Sequence, residues 1–467
     1  MTRRELLYSA ALAAQGQPAR AFVRVSREDQ RYFELSDGSP YIPIGNNICW
    51  ERYLTEEKAV LAKMEERYRA LAANRGNFTR LWLSSPFYDL EPRRPGEFDA
   101  AAARHLEQLL AIARRHGIRV KLCLEHFRSM DYAPPAFPGS VAMSRAEFGT
   151  GRGGPFADMT HYFTSQEGRA AFLRKLDFYA RRWKDEPAIF GWELWNEINA
   201  VRGKGWMEWT ASMLPELKRR FPNHLAMQSL GSFDREGARE YYRGISTAAS
   251  NEVAQIHRYL DLGAQLDVCK GPMDVLAADA VRELQSYQPG RPVVLSEVGA
   301  VEPRHTGPWK LYEQDSQGTL LHDLLFAPFF CGAAGPGQAW HWDHYVEKHN
   351  LWWHFGRFAE AVKGIDPRSE RFEASFSEQD SLRLYTLRGR KSTLMWVRDA
   401  GSDWRTEIAE GRPAAPRRAT RLSWSEAGAI RIYDPWRNVW SQGEARRGTL
   451  GLTEFQRSVV IRARRQA

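Results

Sequence analysis

A chain of 467 residues exceeds what one hydrophobic core usually serves, so a large domain with a smaller companion is expected. A hydrophobic share of 43% and a charged share of 26% exclude general disorder, and no apolar run reaches the roughly 20 residues that span a bilayer. The net charge of +9, from 66 Lys and Arg against 57 Asp and Glu, is spread along the chain without a basic helix, a zinc-finger pattern or an RNA-binding signature. It reads as an Arg-rich surface, and no nucleic-acid partner is expected.

The N-terminal run MTRRELLYSAALAA pairs Arg3 and Arg4 with a short apolar stretch and small residues. It resembles a twin-arginine export signal over residues 1–18, which predicts a periplasmic or secreted protein. The alternative is an amphipathic N-terminal helix on a cytoplasmic protein. Cys49, Cys123, Cys269 and Cys331 form no CxxC pair, so neither a zinc site nor a redox motif is indicated.

From Tyr41 onward, short apolar runs alternate with helical patterns. The run 41–46 precedes a helix over 55–74 with Thr55 as its expected N-cap, and 78–83 precedes a helix over 99–116. The run 118–124 is followed late by a helix over 165–184, then 188–194 by one over 205–221, and 224–230 by a weaker one over 234–247. The runs 252–256 and 292–296 lead into helices over 273–287 and 313–329, and an eighth run ends near Trp340 before a helix over 351–363. Eight strand–helix units in succession predict an α/β fold, a (β/α)₈ TIM barrel over residues 19–365. Beyond residue 366, short strands between Gly- and Pro-containing turns predict a small C-terminal β-sandwich over 366–467. Residues 21–35 also read as strands, which close the barrel bottom or pair with the sandwich.

The segment 127–164, rich in Gly and Pro, separates the third strand from its helix. Its position after a strand puts it on the face where barrel active sites lie. Polar residues at the predicted strand ends are the candidates for chemistry: Asn46, Asn47, Arg80, His126, Asn196, Glu197, His257, Tyr259, Glu297 and Trp340. Glu197 and Glu297 end strands four and seven, and two carboxylates across a barrel mouth are the minimum apparatus for glycoside hydrolysis. His126 and His257 lie on different strands without a clear third ligand or an HExxH pattern, so neither a metal nor any other cofactor is expected.

The stretches GWELWNEIN, HRY and PVVLSEVGA, in register with strands four, six and seven, resemble the clan A glycoside hydrolases, family 5-like cellulases and mannanases among them. The resemblance covers roughly residues 25–365. It implies Glu197 as acid/base, Glu297 as nucleophile, and a retaining double displacement on β-linked oligo- or polysaccharide. Arg80, His126, Asn196, His257, Tyr259 and Trp340 match the family's sugar-site positions. The stretch AWHWDHYVEKHNLWWHF also resembles members carrying a C-terminal sandwich, which makes Trp342 an alternative sugar platform. Trp50, in a strand-end loop, is a further candidate for stacking on sugar, beside Asn47.

The expected division of labour is an ionised Glu297 and a Glu197 whose pKa is raised so that it holds a proton. The long segment 127–164 predicts a narrowed cleft, hence exo-action or short oligosaccharides. A transglycosylase would share every residue named here, and a barrel that binds carbohydrate without cleaving it is the non-enzymatic alternative. Sugar identity and oligomeric state are not encoded in these motifs.

Overall fold

The computed structural model describes residues 21–136, 139–426 and 428–465, so the expected export signal lies outside the described residues. Three short strands, β1 (Val23–Val25), β2 (Phe33–Leu35) and β3 (Pro40–Tyr41), form an antiparallel sheet. Next come β4 (Gly45–Asn47), β5 (Phe78–Trp82), β6 (Arg119–Glu125), β7 (Ile189–Trp195) and β8 (Leu225–Met227), paired in parallel in chain order. A second parallel pair is β9 (Ala254–Leu260) with β10 (Val293–Ala300). Every residue of β4–β10 is buried, as parallel strands covered on both faces must be.

Backbone bonds continue the array past these sheets. Glu252 donates to the Ala226 carbonyl at 2.9 Å, and Asn47 donates to Ala339 at 3.0 Å. Ala339 in turn bridges to Val298 of β10 in parallel. The expected eighth strand therefore contracts to a single bridge beside Trp340.

The helices alternate with the strands: α1 (Glu57–Ala73), α2 (Ala100–Arg115), α3 (Met159–Thr164), α4 (Gln166–Trp183), α5 (Trp206–Arg220), α6 (Arg239–Thr247), α7 (Met273–Ser286), α8 (Thr319–Phe330) and α9 (Trp353–Ala361). Their starts follow side-chain chemistry: Asp99 accepts from the amides of Ala101 and Ala102, and Ser165 from that of Gly168. At α1 the cap is Glu56, which accepts from Lys58 and Ala59, one residue beyond the expected Thr55. None of the helices among the described residues is long and apolar enough to cross a membrane.

The small N-terminal sheet turns Val23, Phe33 and Tyr41 onto Phe78, Phe190, Leu225 and Val294, at or near the first residues of β5, β7, β8 and β10. It thus plugs the end of the parallel array opposite the strand tips.

The C-terminal strands are β11 (Glu373–Gln379), β12 (Leu382–Arg388), β13 (Ser392–Asp399), β14 (Arg421–Ser423), β15 (Ile430–Asp434), β16 (Val439–Gly443), β17 (Ala445–Arg446), β18 (Thr449–Gly451) and β19 (Ser458–Arg464). Six of them form a sheet in the order β11-β12-β13-β19-β15-β16, and the rest pair as β14-β18-β17. Period-two alternation divides their side chains. Tyr385, Leu387, Leu394 and Trp396 join the main core, while Leu384, Val397, Ile432 and Ile461 pack with Leu422 and Leu450 in a core of their own.

Two buried ion pairs tie this sheet to the helices. Arg398 grips Asp323 of α8 at 2.6 and 3.0 Å, and Arg383 grips Asp274 of α7 at 2.6 and 2.9 Å. Tyr385 adds a hydroxyl to Asp274 at 2.8 Å.

Burial lowers His126, His224, His322, His341 and His354 below the ordinary imidazole value. Burial pushes His126 and His354 down to about 3, and His224 to about 4, in each case against a hydrogen bond with a backbone carbonyl. Between pH 6.5 and these values the unfolded chain takes up protons that the folded chain refuses, so stability is full above 6.5 and falls as the pH drops. Urea midpoints at pH 7 and pH 4.5 are expected to differ, with the lower at pH 4.5. Equal midpoints would mean that these rings do not carry the linkage.

Candidate active site

The carboxyl ends of β4–β10 place the polar residues of the sequence around one hollow. Asn196 follows β7 directly and Glu197 comes next, with φ 50° and ψ 52°, a left-handed backbone that a residue with a Cβ adopts only under constraint. Ser229 supplies part of that constraint by accepting the Glu197 amide at 3.1 Å. Glu297 lies in β10 beside a register shift between Leu295 and Glu297, which sets it opposite His257 of β9. Such bulges re-aim side chains near functional sites. Carboxylate oxygens of Glu197 and Glu297, and a nitrogen of His257, all lie within 4.8 Å of one another.

Arg80 of β5 organises the floor and is completely buried. Its guanidinium donates to both oxygens of Glu193 at 2.9 and 3.0 Å, to Asn196 Oδ1 at 2.8 Å and to Glu297 Oε1. Tyr259 donates its hydroxyl to Glu297 Oε2 at 2.7 Å, and His257 Nδ1 lies 3.4 Å from the same oxygen. Burial acts to raise the Glu193 carboxyl, but the charges of Arg80 and Lys121 overcome it and hold the group at about 2. Both oxygens of Glu297 are thus engaged, Oε1 by Arg80 and Oε2 by Tyr259.

Glu197 behaves opposite to the expected raised pKa. Burial raises it, but the hydrogen bond from His257 Nδ1 at 3.1 Å and the ion pair with Arg128 outweigh burial and hold the carboxyl at about 2. Arg128 lies in the loop beyond β6, away from the strand ends, where the sequence gives no sign that it meets Glu197.

The hollow holds about 290 Å³, at the small end of ligand sites, and is lined by both carboxylates with Asn196, Tyr259, Trp50, Trp82 and Trp340. Part of the long segment, Ser140, Val141 and Met143, forms its roof. That roof is tied to the loop after β4: Trp50 Nε1 and Arg52 Nη1 both donate to the Gly139 carbonyl, at 3.1 and 3.2 Å.

Other predicted residues face inward. Asn47 spends its amide on the carbonyls of Ser296, Gln338 and Ala339 at 3.0–3.2 Å. His126 lies under Trp82, its ring nitrogens facing Ser84 Oγ and the Ala142 carbonyl. Trp342 is fully buried behind Trp50 and Trp340, so the ring at the hollow is Trp340.

Glu193, Trp82, Arg128 and Arg52 were not singled out from the sequence. Trp82 was within reach of the alternation rule, since it is two residues beyond Arg80 on the same strand. The spacing of Glu197, His257 and Glu297 would also admit a cation, but Arg80 and Arg128 already pair with the two carboxylates. A neighbouring hollow of about 320 Å³, lined by Ser129, Asp131, Tyr132, Arg152, Asp158 and Arg202 among others, has no pair of facing glutamates.

No family model matches the chain. Among curated proteins, mannan endo-1,4-beta-mannosidase 3 of Oryza sativa subsp. japonica is 25% identical over 436 residues, 86% of this chain and 88% of that protein. Mannan endo-1,4-beta-mannosidase 7 of Arabidopsis thaliana is 22% identical over 412 residues, 81% of this chain and 87% of that protein. A solved structure described as a glycoside hydrolase superposes with a TM-score of 0.59 at 12% identity, covering 95% of this chain and 97% of its own. A glycoside hydrolase family 5 structure from Bacteroides vulgatus gives 0.57 at 14% identity, with 95% and 94% covered. These likenesses assign the TIM-barrel type of fold to the parallel array. Relatives and fold agree with the resemblance carried by the strand-tip motifs, and the chain is similar to the family 5-like members of the clan A glycoside hydrolases.

Proposed function

We propose that this chain hydrolyses β-mannosidic bonds of short oligosaccharides with retention of anomeric configuration, Glu297 acting as nucleophile and Glu197 as acid/base. The observation that carries this reading is the approach of the two carboxylates, with oxygens within 4.8 Å. Retaining enzymes hold theirs about 5–5.5 Å apart, whereas inverting ones leave about 6.5–9.5 Å for a water. Arg80 and Tyr259 hold Glu297 for attack on the anomeric carbon. Asn196, with its Oδ1 engaged by Arg80, turns its amide towards a sugar hydroxyl, and Trp340 offers a stacking face. The mannosidic linkage is supported by the plant relatives, which are mannan endo-1,4-beta-mannosidases.

The preference for short chains rests on the roof. Its tie to Trp50 and Arg52 spans the loops after β4 and β6 and shuts the cleft on that side. We read the whole as a closed (β/α)₈ barrel over residues 19–365, buttressed by a sandwich over 366–467.

The test is a time course on mannohexaose and soluble mannan, with proton NMR of the first product. Release of mannose or mannobiose in the β-form, with polymer viscosity unchanged, is expected. Rapid random shortening of mannan would overturn the exo reading, and a first product in the α-form would overturn the mechanism. Glycosyl transfer to an acceptor sugar in place of water would move the assignment to a transglycosylase.

A further inference from the structure

Two arginines touch the paired carboxylates, and they are built differently. Arg80 is wholly buried and fixed by Glu193, Asn196 and Glu297. Arg128 has a side chain about one-third exposed, its Nε is buried without a hydrogen-bond partner, and its ion pair is with Glu197 Oε2. Its backbone is pinned on both sides: the amide donates to Met143 and the carbonyl accepts from Arg202, each at 2.8 Å. Only the side chain is therefore free to move.

The other oxygen of Glu197, Oε1, is taken by His257, so Oε2 is the one from which a proton would reach a leaving group. Arg128 covers that oxygen. A cation there favours the ionised carboxylate, which has no proton to give.

Resting on the assignment of Glu197 as acid/base, we infer that Arg128 is a displaceable counter-ion: it holds Glu197 ionised in the empty site and swings off Oε2 when the leaving sugar enters. Glu197 then takes a proton from solvent, and the acid forms only with substrate in place. The open side of Arg128 gives the guanidinium room to leave, and its unpartnered Nε gains a hydrogen-bond partner wherever a sugar hydroxyl or water meets it. The other charged or titratable neighbours of Glu197 include His257 and Tyr259 from β9, Tyr242 from α6, Glu297 from β10 and His305 from the loop beyond it, with Arg80 beneath through Asn196. His305 is held by Asp261 at 3.2 Å, and none of these neighbours contacts Oε2 as Arg128 does.

The experiment compares pH profiles of kcat/KM and kcat for mannotriose hydrolysis, whose poor leaving group requires the acid. In the wild type, the alkaline limb of kcat/KM, set by the free enzyme, is expected at least about one pH unit below that of kcat, set by the complex. In Arg128→Gln the kcat/KM limb is expected to rise and the gap to close, while Arg128→Lys keeps most of it. An unchanged gap in a folded Arg128→Gln protein would overturn the inference. Glu197→Gln separates this from the underlying assignment. It should release dinitrophenol from 2,4-dinitrophenyl β-mannoside, which needs no acid, while losing mannotriose cleavage. Retained mannotriose cleavage would overturn the role of Glu197 and the inference with it.

Discussion

Replacement of Glu297 by Gln is expected to lower kcat by on the order of 10⁴-fold or more, the scale on which loss of a catalytic nucleophile acts. The amide keeps the shape of the side chain, so Tyr259 and His257 retain a neighbour of similar size. Arg80 loses only one of its contacts, since Glu193 and Asn196 still hold it. The protein should therefore fold, and its silence can be assigned to chemistry. Incubation with a 2-fluoro-mannosyl fluoride, followed by intact mass, should show one added sugar on the wild type and none on Glu297→Gln. A variant that keeps more than about one-hundredth of wild-type turnover would place the nucleophile elsewhere. Glu297→Ala removes more volume and is the less discriminating choice.

Breaking the Arg398–Asp323 pair is expected to destabilise the fold strongly without touching the site. Both side chains are almost wholly buried, and removing one partner leaves an uncompensated charge, which costs about 3–5 kcal/mol. Arg398→Met should therefore lower Tm by several degrees while kcat at low temperature stays near that of the wild type. Restoring neutrality in the double variant Arg398→Met, Asp323→Leu should recover most of the loss. If the single variant melts with the wild type, the C-terminal sheet does not support α8 through this contact. Arg383 and Asp274 offer the same test on α7, electrostatically linked to the first pair.

What could be read in the sequence had a local cause. The helical patterns over 99–116 and 165–184 were legible from local sequence, and Asp99 and Ser165 start those helices by satisfying free amides, whereas the one cap expected by name, Thr55, gives way to Glu56. Glu197 and Glu297 stood out only together, as two carboxylates ending strands on one rim, since a single glutamate at a strand end is as readily a structural ion-pair partner, as Glu193 of β7 is. What escaped depends on distance in space. The eighth strand shrinks to a bridge at Ala339, whose carbonyl accepts from Asn47 of β4 while Gln338 and Trp340 on either side bond to Val298 of β10, and no periodicity records that. Asn47, His126 and Trp342 were legible as strand-end residues, but their direction is set by neighbours hundreds of residues away or across a loop, such as Ser296 and Ala142. Arg128 sits in a segment without period, and its meaning comes only from meeting Glu197. For the same reason the acidity of Glu197 was expected in the wrong direction: the sequence shows the carboxyl but not the cation against it.

The left-handed backbone at Glu197 bears on how this lineage can drift. Glycine is the residue that adopts such a conformation without steric cost, so at this position local geometry and chemistry favour different amino acids. Glutamate and glycine codons differ by a single base. A Glu197→Gly change, one base away, would therefore relieve the backbone while removing the carboxylate that meets Arg128 and His257, leaving Arg80 fixed by Glu193 and Asn196.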